Sequence, residues 1–132
     1  MSNKLYKVAV YGTLRQGNGN NILLSNSNFL GKGKTLPKFE MFSLGGFPGI
    51  TEGSTRITVE VYEVDSDTLS RLDRLEGYHG KGESNFYDRE VISTPYGNAM
   101  AYTLRDERYS SQERIVSGDW EDRNKVKLKD LI

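Results

Sequence analysis

The chain has 132 residues, enough for one ordinary domain that buries roughly two thirds of the surface its unfolded form exposes. Its 18 basic and 18 acidic side chains cancel, and no basic stripe is present to neutralise phosphates, so nucleic acid is not expected as a partner. The absence of cysteine excludes disulfides, thiolate nucleophiles and thiolate metal sites.

Hydropathy predicts no membrane segment. No apolar run approaches the ~20 residues needed to cross a bilayer, and the chain enters a strand pattern at Leu5 without an apolar leader. We therefore expect one domain over residues 1–132, located in the cytoplasm, with no membrane partner. The sequence does not define an oligomeric state, and a monomer is favoured.

The first half of the chain predicts strands and a glycine-rich loop. Residues 5–11 alternate with the period of a β-strand, with Val8 and Val10 on one face and Ala9 and Tyr11 on the other. The Asn-rich stretch 18–28 that follows is compatible with a loop and one or two helical turns.

Two further strands are predicted before the middle of the chain, over residues 29–36 and 39–44. Three glycines and a proline make residues 45–49 an irregular loop, because such a segment does not sustain a strand ladder.

The middle of the chain predicts a strand followed by a helix. Residues 57–64 alternate clearly, and Asp65 or Ser66 then supplies a helix N-cap. Leu69, Leu72 and Leu75 recur at helical spacing, and Gly77 stands where a helix ending at Glu76 needs a residue with positive φ, which places Glu76 in the last helical turn.

The second half predicts a surface loop and a hairpin. The polar, glycine-containing segment 77–85 is typical of a loop, and strand-like runs 87–93 and 98–104 flank a turn with proline at its second position. Strands outnumber helices and connections are short, which favours an α+β fold with a curled or barrel-like sheet.

Two segments resemble phosphate-binding loops, but their spacing fails. The Gly-Lys-Thr of residues 33–35 would need a glycine at position 28, where Asn28 stands. The Gly-Asn-Gly of residues 17–19 would need a glycine at position 22, which is Ile22. Both segments are better explained as turns.

Metal and serine-nucleophile sites are not expected either. His79 is the only histidine and lies in a polar loop, and no Gly-x-Ser-x-Gly segment presents a serine. Helix capping explains Asp65 and Asp67 better than a carboxylate metal site does. We expect no metal and no cofactor.

Six segments, in this order and spacing, resemble the gamma-glutamylcyclotransferase-like family, which includes gamma-glutamylamine cyclotransferases and small bacterial relatives. They are Val10-Tyr11-Gly12-Thr13-Leu14-Arg15, Leu44-Gly45-Gly46-Phe47-Pro48-Gly49, Val61-Tyr62-Glu63-Val64, Leu72 to Tyr78, Tyr87-Asp88-Arg89, and Ser117-Gly118-Asp119-Trp120. The resemblance implies a small mixed β-barrel flanked by short helices. It also implies a reaction in which the α-amine of a gamma-glutamyl group attacks its own γ-carbonyl, releasing an amine and 5-oxoproline.

The resemblance assigns the proton transfers to Glu76, as base and then as acid. A helix C-terminus and the nearby Asp73 both disfavour ionisation of this carboxylate, by about 0.3–1 kcal/mol each, so burial must supply most of any useful rise in its pKa.

The turn formed by Tyr11, Gly12, Thr13 and Leu14 matches the family's substrate-binding turn. Gly12 would let the backbone approach the ligand, and the N–H groups of Thr13 and Leu14 are the candidate donors to the γ-oxygen. Tyr87 and the 45–49 loop are candidate pocket walls.

Simpler interpretations exist for several of these residues. Glu76 could be a solvated helix-end carboxylate, and Tyr87 could simply pack in the core. Arg15, like Arg71 and Arg74, is most simply a surface charge, and Trp120 would anchor the C-terminal segment. The alternatives to catalysis on a gamma-glutamyl substrate are a binding module that uses the same pocket, and an enzyme with another amide-bond chemistry.

Overall fold

Eight β-strands, one α-helix and two short 3-10 helices make up the part of the chain described by the computed structural model, residues 4–105 and 112–123. In chain order they are β1 (Tyr6–Val10), a 3-10 helix (Gly19–Leu24), β2 (Asn28–Lys34), β3 (Phe39–Ser43), β4 (Pro48–Glu52), β5 (Thr58–Val64), α1 (Ser66–Glu76), β6 (Asp88–Thr94), β7 (Gly97–Thr103), β8 (Glu113–Arg114) and a 3-10 helix (Trp120–Asp122). None of the helices in these residues is long and apolar enough to cross a membrane.

The strands form two sheets. The larger has the order β2-β5-β1-β7-β6, with β1 antiparallel to β5 and parallel to β7, and the smaller has the order β4-β3-β8. The mixed α+β class is therefore confirmed.

The implied barrel is not confirmed, because no backbone ladder among the described strands closes either sheet. A side chain spans the gap instead: the Tyr96 hydroxyl, in the β6–β7 turn, donates to the Lys32 carbonyl of β2 at 2.9 Å. The sheet curls until its edges meet through a side chain rather than through paired strands.

The strand predicted from the alternation of residues 5–11 is present as β1, and Val8, Ala9 and Val10 are buried whichever face they occupy. Val8 and Val10 pack with Leu72 of the helix, whereas Ala9 and Tyr11 pack with Met41 of the smaller sheet. Apolar side chains on both faces make β1 the centre of the core, so its carboxyl end, where the 11–14 turn begins, rests on a fixed base.

Helix α1 begins and ends where the sequence indicates. The Asp65 carboxylate accepts a hydrogen bond from the Thr68 N–H at 2.7 Å, which caps the N-terminus. Gly77 has φ +67° and closes the C-terminus, with the N–H of Tyr78 donating to the Asp73 carbonyl at 2.9 Å. Glu76 is thus held as the last residue of the helix.

The prediction that residues 45–49 are all irregular is wrong at its end, because Pro48 and Gly49 already belong to β4. Proline is tolerated there because β4 is an edge strand of the smaller sheet. Gly49 packs closely against Leu104, since a Cβ built on it would overlap a methyl group of that side chain, which would have to move to admit any other residue. Trp120 is 1% exposed, in agreement with its predicted anchoring role.

Candidate active site

A pocket of about 470 Å³ opens beside the carboxyl end of β1, a volume typical of small-molecule sites. Six separate parts of the chain meet in it, from the end of β1 to strand β7. Its walls are formed by Ala9, Val10, Tyr11, Gly12, Thr13, Leu14, Asn20, Gly46, Phe47, Pro48, Leu75, Glu76, Phe86, Tyr87 and Tyr102. All six site residues predicted from the sequence are therefore brought together, and their chemical roles stay predictions.

Glu76 is the only charged side chain among these lining residues. Burial raises the pKa of its carboxyl from 4.5 to about 7. Within residues 4–105 and 112–123, no ion pair or hydrogen bond to this carboxylate offsets that effect. Both protonation states are therefore populated near neutral pH.

The expected contribution of Asp73 to this pKa is wrong. Asp73 directs its carboxylate away to Arg89, at 2.6 Å, and to the hydroxyl of Tyr102, at 2.7 Å. The Arg89 guanidinium also lies over the ring of Tyr78, 4.7 Å from its centroid. Asp73 thus ties α1 to β6 and β7, and desolvation alone accounts for the shift at Glu76.

The turn after β1 presents two backbone donors. The Gly12 carbonyl accepts from the N–H of Arg15 at 3.0 Å, which folds Thr13 and Leu14 into the middle of a tight turn. Among the described residues, the N–H groups of Thr13 and Leu14 donate to no protein acceptor. Asn20 holds the turn from outside, donating its side-chain amide to the Thr13 hydroxyl at 2.9 Å.

Packing gives position 12 a further reason to be glycine, beside the predicted approach of a ligand to its backbone. A Cβ built on Gly12 would lie 2.6 Å from Cδ and 2.7 Å from Cγ of Pro48. The turn after β1 and the loop before β4 therefore approach each other too closely for any side chain at this position, and that contact shapes one wall of the pocket.

Buried tyrosines form the base of the pocket. The Tyr11 hydroxyl donates to the Tyr102 carbonyl at 2.6 Å, and the Tyr87 hydroxyl donates to the Pro48 carbonyl at 2.5 Å. Burial raises the pKa of Tyr11 well above its usual value, and the nearby Tyr87 and Glu76 raise it further. Tyr87 both packs in the core, at 5% exposure, and lines the pocket, so the two interpretations of this residue hold together.

A buried ion network supports the turn from behind. Arg15 Nε contacts Glu60 at 2.9 Å, Arg15 Nη1 contacts Asp119 at 2.7 Å, and the N–H of Gln16 donates to Glu60 at 2.8 Å. We name Arg15, Glu60 and Asp119 the Arg15 clasp. Burial alone would lower the pKa of Arg15, but the hydrogen bonds to Glu60 and Asp119 outweigh it and the pKa is raised.

The prediction that Arg15 is a surface charge is therefore wrong, since Arg15 is 3% exposed and Glu60 is 4% exposed. A signal for this was present in the strand alternation. Glu60 shares a strand face with Tyr62 and Val64, and both of those side chains are buried. A carboxylate in an inward-facing position requires a cationic partner.

Six lining residues were not predicted as part of the site: Ala9, Val10, Asn20, Leu75, Phe86 and Tyr102. Phe86 and Leu75 directly precede Tyr87 and Glu76, so proximity to predicted site residues was the available signal. Tyr102 comes from the last strand of the hairpin and no local pattern marks it. In the ranges that the structure describes, no three His, Asp or Glu side chains are grouped to hold a metal ion.

In a comparison with known protein families, residues 8–122 match the family described as gamma-glutamyl cyclotransferase, AIG2-like. The gamma-glutamylcyclotransferase family protein YtfP of Escherichia coli K12 is 36% identical over 119 residues, covering 90% of this chain and 99% of that protein. The solution structure of Escherichia coli YtfP superposes with a TM-score of 0.67, at 37% identity over 90% of this chain and 99% of that one.

Two other relatives extend the comparison. An uncharacterised protein from Pyrococcus horikoshii superposes with a TM-score of 0.73 at 30% identity, over 89% of this chain and 92% of that chain. A Niallia circulans protein named gamma-L-glutamyl-butirosin B gamma-glutamyl cyclotransferase is 35% identical over 81 residues, which is 61% of this chain and 52% of that protein.

Proposed function

The chain belongs to the gamma-glutamyl cyclotransferase, AIG2-like family, and from this premise we propose that it cyclises a gamma-glutamyl amine or related gamma-glutamyl compound to 5-oxoproline, with release of the amine. Glu76 carries the protons and no metal ion is used. The observation that carries the proposal is that this carboxyl, with its pKa raised to about 7, lines one pocket with Thr13 and Leu14, whose N–H groups donate to no acceptor among the described residues. The name of the Niallia circulans relative supports a gamma-glutamyl compound as the substrate class.

The reaction exchanges one C–N bond for another. The α-amine nitrogen forms a bond to the γ-carbonyl carbon, and the bond from that carbon to the leaving amine breaks. Glu76 accepts the proton that the α-ammonium must lose before it attacks, and the attacking nitrogen loses a second proton as the lactam forms. Glu76 relays these protons one at a time to the leaving nitrogen, which departs as an ammonium, so no proton is gained or lost overall. A carboxyl with a pKa of about 7 is suited to both steps, because it accepts and donates at neutral pH.

Negative charge develops on the γ-oxygen as the nitrogen attacks. The N–H groups of Thr13 and Leu14 are fixed by the 12–15 turn and therefore need no reorganisation when that charge appears. Donors of this kind commonly contribute on the order of 3 kcal/mol each to transition-state stabilisation. The Arg15 clasp holds the same turn from the protein side, so the donors keep their positions.

Glu76 has to perform both proton transfers because the nearby phenols are engaged. The hydroxyls of Tyr11, Tyr87 and Tyr102 donate to Tyr102 O, Pro48 O and the Asp73 carboxylate respectively. Tyr87 and the 45–49 loop act as walls that fold the substrate, because bringing the amine near the carbonyl is the main gain available to a unimolecular cyclisation.

The direct test is an assay for 5-oxoproline with purified protein and a panel of gamma-glutamyl amines and dipeptides. We expect turnover of at least one member, and we expect Glu76→Gln to reduce kcat about 10²- to 10⁴-fold, the usual contribution of a general acid or base. Glu90→Gln removes an exposed carboxylate on β6 and serves as the matched control.

Two results would contradict the proposal. Equal activity of Glu76→Gln and the parent protein would remove Glu76 from the mechanism. Stabilisation of the protein by 5-oxoproline in a thermal shift, without turnover of any panel member, would indicate a binding module instead.

A further inference from the structure

The pocket changes character between its base and its mouth. Its buried walls are polar at Glu76 and at the tyrosine hydroxyls, whereas three large apolar side chains stand exposed at its edge: Phe47 at 39%, Leu75 at 43% and Phe86 at 48%. We name Phe47, Leu75 and Phe86 the apolar rim. Large apolar side chains gathered around a pocket mark a surface that binds apolar groups.

Chain order explains how the rim is placed. Each rim residue directly precedes a buried or half-buried wall residue, with Leu75 before Glu76, Phe47 before Pro48 and Phe86 before Tyr87. The three are therefore fixed at the mouth by the same backbone that fixes the reacting groups. A substituent attached to a gamma-glutamyl group bound at Glu76 and the 11–14 turn therefore comes close to these three side chains.

The rim is ordered by ring contacts. The rings of Phe47 and Phe86 meet edge to face with centroids 6.0 Å apart, and Phe86 meets Tyr87 with centroids 4.9 Å apart. Gly77 allows this arrangement, because a Cβ on it would lie 3.0 Å from Cβ of Phe86. A preformed apolar surface binds an apolar group without first having to become ordered.

Charge at the site disfavours a leaving group that is an anion. Among the lining residues that the structure describes, no Lys, Arg or His is available to pair with a carboxylate, and the one charged side chain, Glu76, repels it. A carboxylate among the three rim residues would lose water without gaining a partner. An ammonium would also lose water there, although the aromatic faces of Phe47 and Phe86 repay part of that loss.

We propose that the apolar rim selects gamma-glutamyl amides whose nitrogen carries an uncharged, apolar substituent, so that an alkyl or aryl amine is released in preference to an amino acid. This assignment rests on the proposed function for its reaction. The apolar substituent lies against Phe47, Leu75 and Phe86 while the gamma-glutamyl group occupies the polar base.

Three amides of similar size test the selectivity: gamma-glutamyl-n-butylamide, gamma-glutamyl-β-alanine and the singly acylated gamma-glutamyl derivative of 1,3-diaminopropane. They place a methyl group, a carboxylate or an ammonium at nearly the same distance from the γ-carbonyl. We expect kcat/KM for the butylamide to exceed that for the β-alanine derivative about tenfold or more, and to exceed that for the diamine derivative. Equal values for the three, or a preference for a charged member, would overturn the assignment.

Rim variants connect that preference to the rim residues. Phe86→Ser and Phe47→Ser should each raise KM for the butylamide several-fold while changing KM for the β-alanine derivative little, since only the first loses apolar contact. Val91→Ser, at a residue 68% exposed on β6, is the control and should keep the parental selectivity. A butylamide preference that survives both rim changes would overturn the role of the rim.

Binding to Glu76→Gln protein separates this assignment from the proposed reaction. Calorimetry with the same three amides measures the rim preference when no turnover occurs. Tighter binding of the butylamide together with no turnover by the parent protein would support the apolar rim and overturn the cyclisation. Turnover without a butylamide preference would support the cyclisation and overturn the rim assignment.

Discussion

Replacing Glu76 by glutamine should stabilise the protein at alkaline pH. Glu76 sits among pocket walls that raise its pKa from 4.5 to about 7, so the folded state disfavours its charged form. Below pH 4.5 the carboxyl is neutral in both the folded and the unfolded state, so its burial does not reduce the free energy of unfolding. As the pH rises towards and through 7, the unfolded state ionises first and the folded state must then bury a charged carboxylate, so the free energy of unfolding falls.

The size of the effect follows from the pKa difference. A rise from 4.5 to about 7 corresponds to about 3 kcal/mol when both states are ionised, and partial exposure of Glu76 to solvent reduces this to about 2 kcal/mol. Glutamine has nearly the same shape and carries no charge at any pH. For a domain of this length, about 2 kcal/mol corresponds to a rise of roughly 7 °C in Tm.

Urea unfolding of the parent and of Glu76→Gln at about pH 5 and pH 8.5 measures this directly. The variant should gain about 1.5 kcal/mol relative to the parent between the two pH values, because the unfolded-state carboxyl is already largely ionised at pH 5. Most of the gain should appear between pH 5 and pH 7.5. Glu90→Gln, which removes an exposed carboxylate, should show no such trend. A constant difference between Glu76→Gln and the parent across this range would refute the argument from burial.

Three other outcomes are expected. The kcat/KM of the parent should rise with pH through an apparent pKa of about 7, because Glu76 must be ionised to accept the first proton; a flat profile would argue against this role. Glu60→Gln should lower the free energy of unfolding by about 3 kcal/mol and raise KM, because it breaks a buried ion pair behind the substrate turn. Denaturation and kinetics on the same preparation measure both, and an unchanged free energy of unfolding or an unchanged KM would contradict the prediction. Gly12→Ala should destabilise by about 1–3 kcal/mol through its clash with Pro48, whereas Gly19→Ala, which meets no described atom within 4 Å, should cost less in the same denaturation series.

Local patterns predicted the elements that local chemistry controls. Asp65 and Gly77 mark the two ends of α1 through capping, and the alternation in β1 and β5 gives the buried faces. The end of the helix at Glu76 could therefore be predicted. The start of β4 at Pro48 could not, because a proline there is acceptable only once the strand is known to be an edge.

The parts of the site that depend on distant contacts were beyond these patterns. The burial of Arg15 depends on Glu60 and Asp119, which are 45 and 104 positions away in sequence. The role of Asp73 was misjudged because its partner Arg89 comes from a strand that no helical periodicity describes. Sequence spacing indicates which residues lie near Glu76, whereas ion pairs between distant segments determine which charges affect its pKa.

The Arg15 clasp makes the beginning of the chain depend on its far end. Arg15 follows the first strand directly, yet one of its two carboxylate partners is Asp119, next to the buried Trp120. During synthesis, the turn after β1 leaves the ribosome long before Asp119 is made, so this ion pair of the clasp forms only once residue 119 has been added. Truncation upstream of residue 119 would remove Asp119 together with the buried Trp120, and with them an anchor of the backbone donors opposite Glu76.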